Sequence, residues 1–211
     1  VEIFPNRPDL LSEAGFARAF STFIGEKKGL KKYKIKKSGL KLKIDDSVKK
    51  VRPFTACAIV RELKLDEERL REIIQIQEKL HVTYGRHRKK CAIGIYPLEK
   101  IKFPITFKAE KPQAIRFRTL DSKNIMTGDQ ILSNHDKGKE FAHLLAGYEK
   151  FPIFVDSNNE ILSMPPIINS DALGKVDEDT KEVFIECSGY DMRTLEICLN
   201  IIVCALADTG A

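Results

Sequence analysis

Apolar positions first recur at helical spacing after Asn6-Arg7-Pro8-Asp9, where Phe16, Phe20 and Phe23 predict a helix capped by Asp9 and ended by Gly25. The period then changes to two. Tyr33-Lys34-Ile35 and Leu40-Lys41-Leu42-Lys43-Ile44 read as half-exposed strands with lysines on the wet side. Pro53 to Leu63 is a more apolar strand. Asp66 caps a strong helix with Glu67 and Glu68 in its first turn and Leu70, Ile73, Ile74, Gln77 and Leu80 as its buried stripe. Strands follow at Cys91 to Tyr96, Ile105 to Phe107 and Ala114 to Phe117, and Thr127-Gly128-Asp129-Gln130 has the form of a capping box.

The last third alternates most clearly. Pro152 to Val155, the turn Asp156-Ser157-Asn158-Asn159, and Ile161-Leu162 predict a hairpin. A helix over Gly138 to Leu145 precedes it, and an irregular loop from Ser163 to Lys175 follows. Glu182 to Cys187 is a strand that Ser188-Gly189 breaks. Asp191 starts a long helix with Leu195, Cys198, Ile202 and Ala205 inward. Strands and helices mix without a βαβ rhythm, so the fold class is α/β in the mixed α+β sense: one compact body, a mixed sheet with flanking helices.

At 211 residues and 43% hydrophobic content the chain can bury a core. It starts at Val1 without methionine and reads as a piece of a longer polypeptide. No apolar run nears the roughly 20 residues that span a bilayer, so no membrane is expected. Five cysteines without CxxC spacing point to free buried thiols rather than a disulfide framework or zinc, and to a reducing cytoplasmic setting. The net charge of +6 matters mainly for its placement, in the lysines of 27–50 and in Arg86-His87-Arg88-Lys89-Lys90.

No phosphate-binding glycine loop, nucleophile elbow or paired metal-binding histidines occur, so nucleotide, serine-hydrolase and metal chemistry lack support. His135 and His143 read as surface or helix residues. What remains is the loop with Pro165-Pro166, Ile167-Ile168 and Asn169-Ser170-Asp171, and one glutamate in an apolar strand. Alternation puts Glu186 on the face of Phe184. It is either an edge residue turned to solvent or a buried carboxyl that needs a partner or a functional reason.

Asn6-Arg7-Pro8-Asp9-Leu10-Leu11-Ser12, Ser163 to Asn169, and Phe184-Ile185-Glu186-Cys187-Ser188-Gly189-Tyr190-Asp191 resemble signatures of the editing region of phenylalanyl-tRNA synthetase β subunits of the archaeal and eukaryotic branch. The stretch Ile73 to His81, Arg86-His87-Arg88 and Ala92-Ile93-Gly94 fit the same branch in order and spacing. The resemblance covers nearly the whole chain and implies that family's editing-domain fold, with 1–25 a lead-in helix from the preceding domain and 26–211 the editing domain.

The same resemblance implies an activity, hydrolysis of tyrosine wrongly esterified to tRNA(Phe). A hydrophobic synthetic pocket rejects an added hydroxyl only about a hundredfold, so a second sieve is worthwhile. Glu186 then falls where bacterial relatives place a glutamate that binds the tyrosine hydroxyl, and Pro166, Ser170, Asp171 and Ser188 border the same pocket. Asn169, with backbone amides, would orient the attacking water or steady the oxyanion. The terminal hydroxyl of the tRNA would assist in place of a protein base. A bacterial pocket histidine has no counterpart, since Ile93-Gly94 stand near its place. Arg86, Arg88, Lys89 and Lys90 are candidates for acceptor-end phosphates. Editing would need no cofactor or metal; the whole synthetase would use ATP and Mg and an α subunit in a heterotetramer. The rival readings are a non-catalytic RNA-binding module and a domain that holds the α subunit.

Overall fold

A computed structural model describes residues 2–208. Four layers stack on one another. Helices α2 (Glu67–Val82) and α6 (Met192–Asp208) cover one face of an antiparallel three-stranded sheet, ordered β2 (Phe54–Val60), β10 (Val183–Gly189), β3 (Cys91–Pro97). Its other face meets a five-stranded sheet of β1 (Leu42–Ile44), β4 (Ile105–Glu110), β7 (Phe151–Val155), β8 (Ile161–Met164) and β9 (Ile168–Asn169). Only the β1–β4 pair is parallel. The outer face of that sheet is covered by α3 (Gly128–Asn134), α4 (Asp136–Phe141) and the small hairpin β5 (Arg116–Arg118)–β6 (Ile125–Thr127).

Period-two alternation places each side chain in its layer. Along β10, Val183, Ile185 and Cys187 pack under α2 and α6, whereas Phe184 enters the core between the sheets, where Phe107 and Phe154 stack at 4.3 Å. Both faces of this strand are buried, which explains its nearly unbroken apolar run. The mixed α/β class expected from the pattern is the one observed.

Several expected elements change. Strand β10 runs through Ser188-Gly189, because neighbours on both sides supply its ladder. Ser12, not Asp9, caps α1 (Glu13–Phe23), accepting from Gly15 N at 3.0 Å, while Asp9 pairs with Arg7. The segment 33–35 is not a strand; Tyr33 and the neighbouring Lys31 instead donate to Asp208 at the end of α6, which holds the segment beside helices rather than along a strand. The stripe of α2 also shifts: Ile73, Ile76, Leu80 and His81 are buried, and Ile74 is 52% exposed. The helix expected over Gly138 to Leu145 is α4 followed by a 3-10 turn. Asp66 caps α2, Thr127 and Gln130 form the capping box of α3, and all four inward residues of α6 are buried.

Candidate active site

Glu186 sits mid-strand on β10, opposite Cys57 of β2 and Gly94 of β3, and is 2% exposed. The solvent-edge reading is therefore excluded, since β10 is central in its sheet. One carboxyl oxygen, Oε1, lies 3.3 Å from the Tyr96 hydroxyl. The other, Oε2, is buried without a hydrogen-bond partner. Burial pushes the carboxyl up to about 8, against the opposing pull of the Arg52 charge, of the Tyr96 hydrogen bond and of the nearby Ser188 hydroxyl, which lies outside hydrogen-bond geometry with Oε2. At neutral pH the neutral acid predominates.

Glu186 lines a cavity of about 540 Å³ between the two sheets' ends and α2. Ile74 and Gln77 of α2 form one wall, so Ile74, which misses the core, faces the cavity instead. Pro166 and Ile168 form another, on the turn between β8 and β9. The irregular loop expected here is thus largely structured: Met164 accepts from Ile167 N at 2.9 Å around the cis Pro165–Pro166 bond, β9 follows, and Ser170 caps the short helix α5 (Asp171–Gly174). Asn169 reaches the cavity too, and no hydrogen bond uses its side-chain nitrogen among the described residues.

Arg88 holds this turn in place. Its Nη1 donates to Ile167 O at 2.8 Å and Pro166 O at 3.3 Å, and Nη2 donates to Glu78 Oε1 at 2.9 Å. The guanidinium lies 4.3 Å from the centre of the Phe141 ring. His81, also at the cavity, is committed at both nitrogens: Nε2 accepts from Ile93 N at 2.8 Å, so Nδ1 carries the proton and donates to Glu78 at 3.1 Å. Burial pushes His81 toward the neutral form, while hydrogen bonding from His81 and the nearby Arg88 hold Glu78 down to about 2. A histidine with no free lone pair is not a general base.

The expected site residues therefore separate. Glu186, Asn169 and Pro166 meet at one cavity. Ser188, fully buried, accepts instead from Arg52 Nε at 3.1 Å; Ser170 is used by its cap; and Asp171 pairs with Arg118 at 2.5 Å, outside the cavity wall. Arg88 is turned inward and is not available for the surface phosphate contact expected of it. Arg86, Lys89 and Lys90 line a different cleft of about 1000 Å³, with Arg52, Tyr148 and Tyr190. The sequence pattern did not point to Tyr96, Ser163 or Gly94. A glycine inside a strand is a signal of close backbone or side-chain approach and could have flagged Gly94.

The raised carboxyl has a measurable consequence. Unfolding returns Glu186 to its ordinary value of 4.5, so the folded chain keeps a proton that the unfolded chain loses. This group's contribution is fully present below that value and is lost as pH rises toward about 8. We expect wild-type stability to fall by about 1 kcal/mol per pH unit through this window relative to Glu186→Gln, which carries no titrating proton. Urea unfolding at several pH values checks this; parallel curves would show that Glu186 does not titrate from a buried, neutral state.

Residues 44–197 match the B3/4 domain family, and the chain belongs to that family. It is 45% identical over 97% of its length to the phenylalanine–tRNA ligase beta subunits of Thermococcus sibiricus and Pyrococcus horikoshii, and 40% identical over its full length to that of Methanosphaera stadtmanae. The chain spans 37% of the length of these relatives. Its structure matches the crystal structure of an N-terminal fragment of the phenylalanyl-tRNA synthetase beta subunit from Pyrococcus horikoshii with a TM-score of 0.95 and 44% identity, over 98% of this chain and 59% of that one. The resemblance carried by the sequence signatures is borne out. Among the described residues no helix is long and apolar enough to cross a membrane.

Proposed function

We propose that this chain is the proofreading part of a phenylalanine–tRNA ligase β subunit and hydrolyses tyrosine wrongly esterified to tRNA(Phe). The observation that carries this reading is Glu186, a buried carboxyl with one unpartnered oxygen at the wall of a largely apolar cavity. An aromatic ring fits apolar walls, and a hydroxyl at its tip would satisfy the orphaned oxygen. Phenylalanine would leave that oxygen unpaired, which is the strong form of discrimination against a missing hydroxyl. The wider family supplies the context in which such an ester arises.

Water would attack the ester carbonyl, with the Asn169 side-chain nitrogen donating to the developing oxyanion or to the water. His81 is committed elsewhere, so the ribose hydroxyl next to the ester is the group left to relay the proton. The cleft holding Arg86, Lys89 and Lys90 suits the phosphates of the acceptor end, and Tyr148 and Tyr190 offer rings for a base. We expect Asn169→Ala to lower the hydrolysis rate of tyrosyl-tRNA(Phe) by about a hundredfold, as loss of an oxyanion donor does, with little change in RNA affinity. Single-turnover deacylation beside a filter-binding assay decides; an unchanged rate would remove Asn169 from the mechanism.

A second reading draws on a different observation. Phe16, Phe20 and Phe23 of α1 stack on one another at 5.8 and 6.3 Å while exposed, a surface that suits a domain holding the synthetase α subunit. That role is compatible with editing, and it would remain, beside a non-catalytic RNA-binding role, if no ester were hydrolysed.

A further inference from the structure

We propose that Tyr96 is a specificity-determining positioning residue: its hydroxyl, held between Ser163 and Glu186, commits one oxygen of Glu186 and leaves the other to recognise a ligand side chain that ends in a hydroxyl. The inference rests on the editing reading above and deepens it.

Tyr96 is fully buried on β3, its ring stacked 5.9 Å from that of Phe184. Its Oη lies 2.7 Å from Ser163 Oγ, 3.3 Å from Glu186 Oε1 and 3.5 Å from Asn169 Oδ1. These four polar groups come from β3, β8, β10 and β9, so one phenol ties the two sheets together at the cavity. Gly94 makes the arrangement possible. A Cβ there would stand 2.2 Å from Tyr96 Oη and 2.6 Å from Glu186 Oε1.

A phenol has a single proton, so the three contacts cannot all be donations from Tyr96. When Ser163 donates to Tyr96, Tyr96 donates to Oε1, and a neutral Glu186 carries its proton on Oε2. When Tyr96 donates to Ser163, the proton of Glu186 sits on Oε1 and is given to Tyr96, and Oε2 is a bare acceptor. In both directions Oε1 is occupied and Oε2 is the atom left over, as donor in one case and acceptor in the other. A hydroxyl can answer either, because it both donates and accepts; the edge of a phenyl ring answers neither. Without Tyr96 the carboxyl could turn, pair both oxygens within the protein or draw in water, and the preference for a hydroxyl would fade.

The variant of choice is Tyr96→Phe, which keeps the ring and its stacking. Tyrosinamide and phenylalaninamide are titrated calorimetrically into this chain, and hydrolysis of tyrosyl- and phenylalanyl-tRNA(Phe) is followed in parallel. Wild type is expected to prefer the tyrosine compound in both assays. In Tyr96→Phe the preference should fall at least about fivefold, from loss of one buried hydrogen bond, with Ser163→Ala moving the same way by less. A purely structural role would weaken both compounds together and leave the ratio intact. A ratio within about twofold of wild type, too small a change for a lost buried hydrogen bond, would overturn the proposal, as would a wild-type chain that binds the two amides equally. Absence of ester hydrolysis with the amide preference intact would overturn the editing reading and leave the role of Tyr96 standing.

Discussion

Glu186→Ala is expected to abolish the distinction between tyrosyl and phenylalanyl esters, reducing the ratio of their kcat/KM values by at least about a hundredfold. The size follows from the surroundings of the carboxyl. Oε2 is buried and has no hydrogen-bond partner within the protein, so on the proposed reading phenylalanine would leave a polar atom unpaired and tyrosine would satisfy it. Alanine removes the orphan and hence the penalty for phenylalanine, as well as the reward for tyrosine. The loss should therefore come from both sides: slower hydrolysis of the tyrosyl ester and faster hydrolysis of the phenylalanyl one. Glu186→Gln, which retains a donor and an acceptor at the same place, should keep part of the ratio. Steady-state deacylation of both esters by the three proteins measures this. Equal ratios would show that the hydroxyl is read elsewhere.

The second large effect lies at Gly94, which the resemblance sets near the place of a bacterial pocket histidine without giving it a role. Alanine there puts its methyl 2.2 Å from the Tyr96 hydroxyl and 2.6 Å from Glu186 Oε1, so at least one of the two must leave. Neither can swing freely. Tyr96 is fixed by its stacking on Phe184, and Glu186 is mid-strand with neighbours on both sides. We expect about 1–3 kcal/mol of destabilisation from overpacking and a loss of tyrosyl-ester hydrolysis as complete as that of Glu186→Ala. Urea unfolding and deacylation on one preparation test both halves. Full activity in Gly94→Ala would mean that the contact between Tyr96 and Glu186 is dispensable.

The layers of the fold were largely legible in the sequence, and the reason is visible along β10. Its alternation puts Phe184 and Glu186 on one face and Val183, Ile185 and Cys187 on the other, and the structure buries the first face against the second sheet and the other under α2 and α6. Alternation is silent, however, on which edges are available. Tyr33-Lys34-Ile35 has the pattern of a strand but is tied to Asp208 of α6 instead, whereas Ser188-Gly189 reads as a break and is held extended by two neighbours.

The site was legible only in part, for a similar reason. Glu186 stood out because a carboxyl in an apolar run is costly, and Asn169 and Pro166 because the turn that bears them is so unusual. Tyr96 did not stand out, since one tyrosine in a strand is ordinary until its hydroxyl is seen between Ser163 and Glu186. The basic cluster misled in one position. Arg86, Arg88, Lys89 and Lys90 look alike in sequence, yet consecutive left-handed residues at 86–88 send Arg88 inward to hold the proline turn. Charge alone did not distinguish a residue that meets solvent from one that holds a turn.

If a buried carboxyl selects an ester by its hydroxyl, the most direct test is deacylation of tyrosyl-tRNA(Phe) beside phenylalanyl-tRNA(Phe) by this chain. Rapid release of tyrosine and near-background release of phenylalanine are the expected results. Equal release of both would contradict the role of Glu186, and release of neither would contradict the editing reading itself.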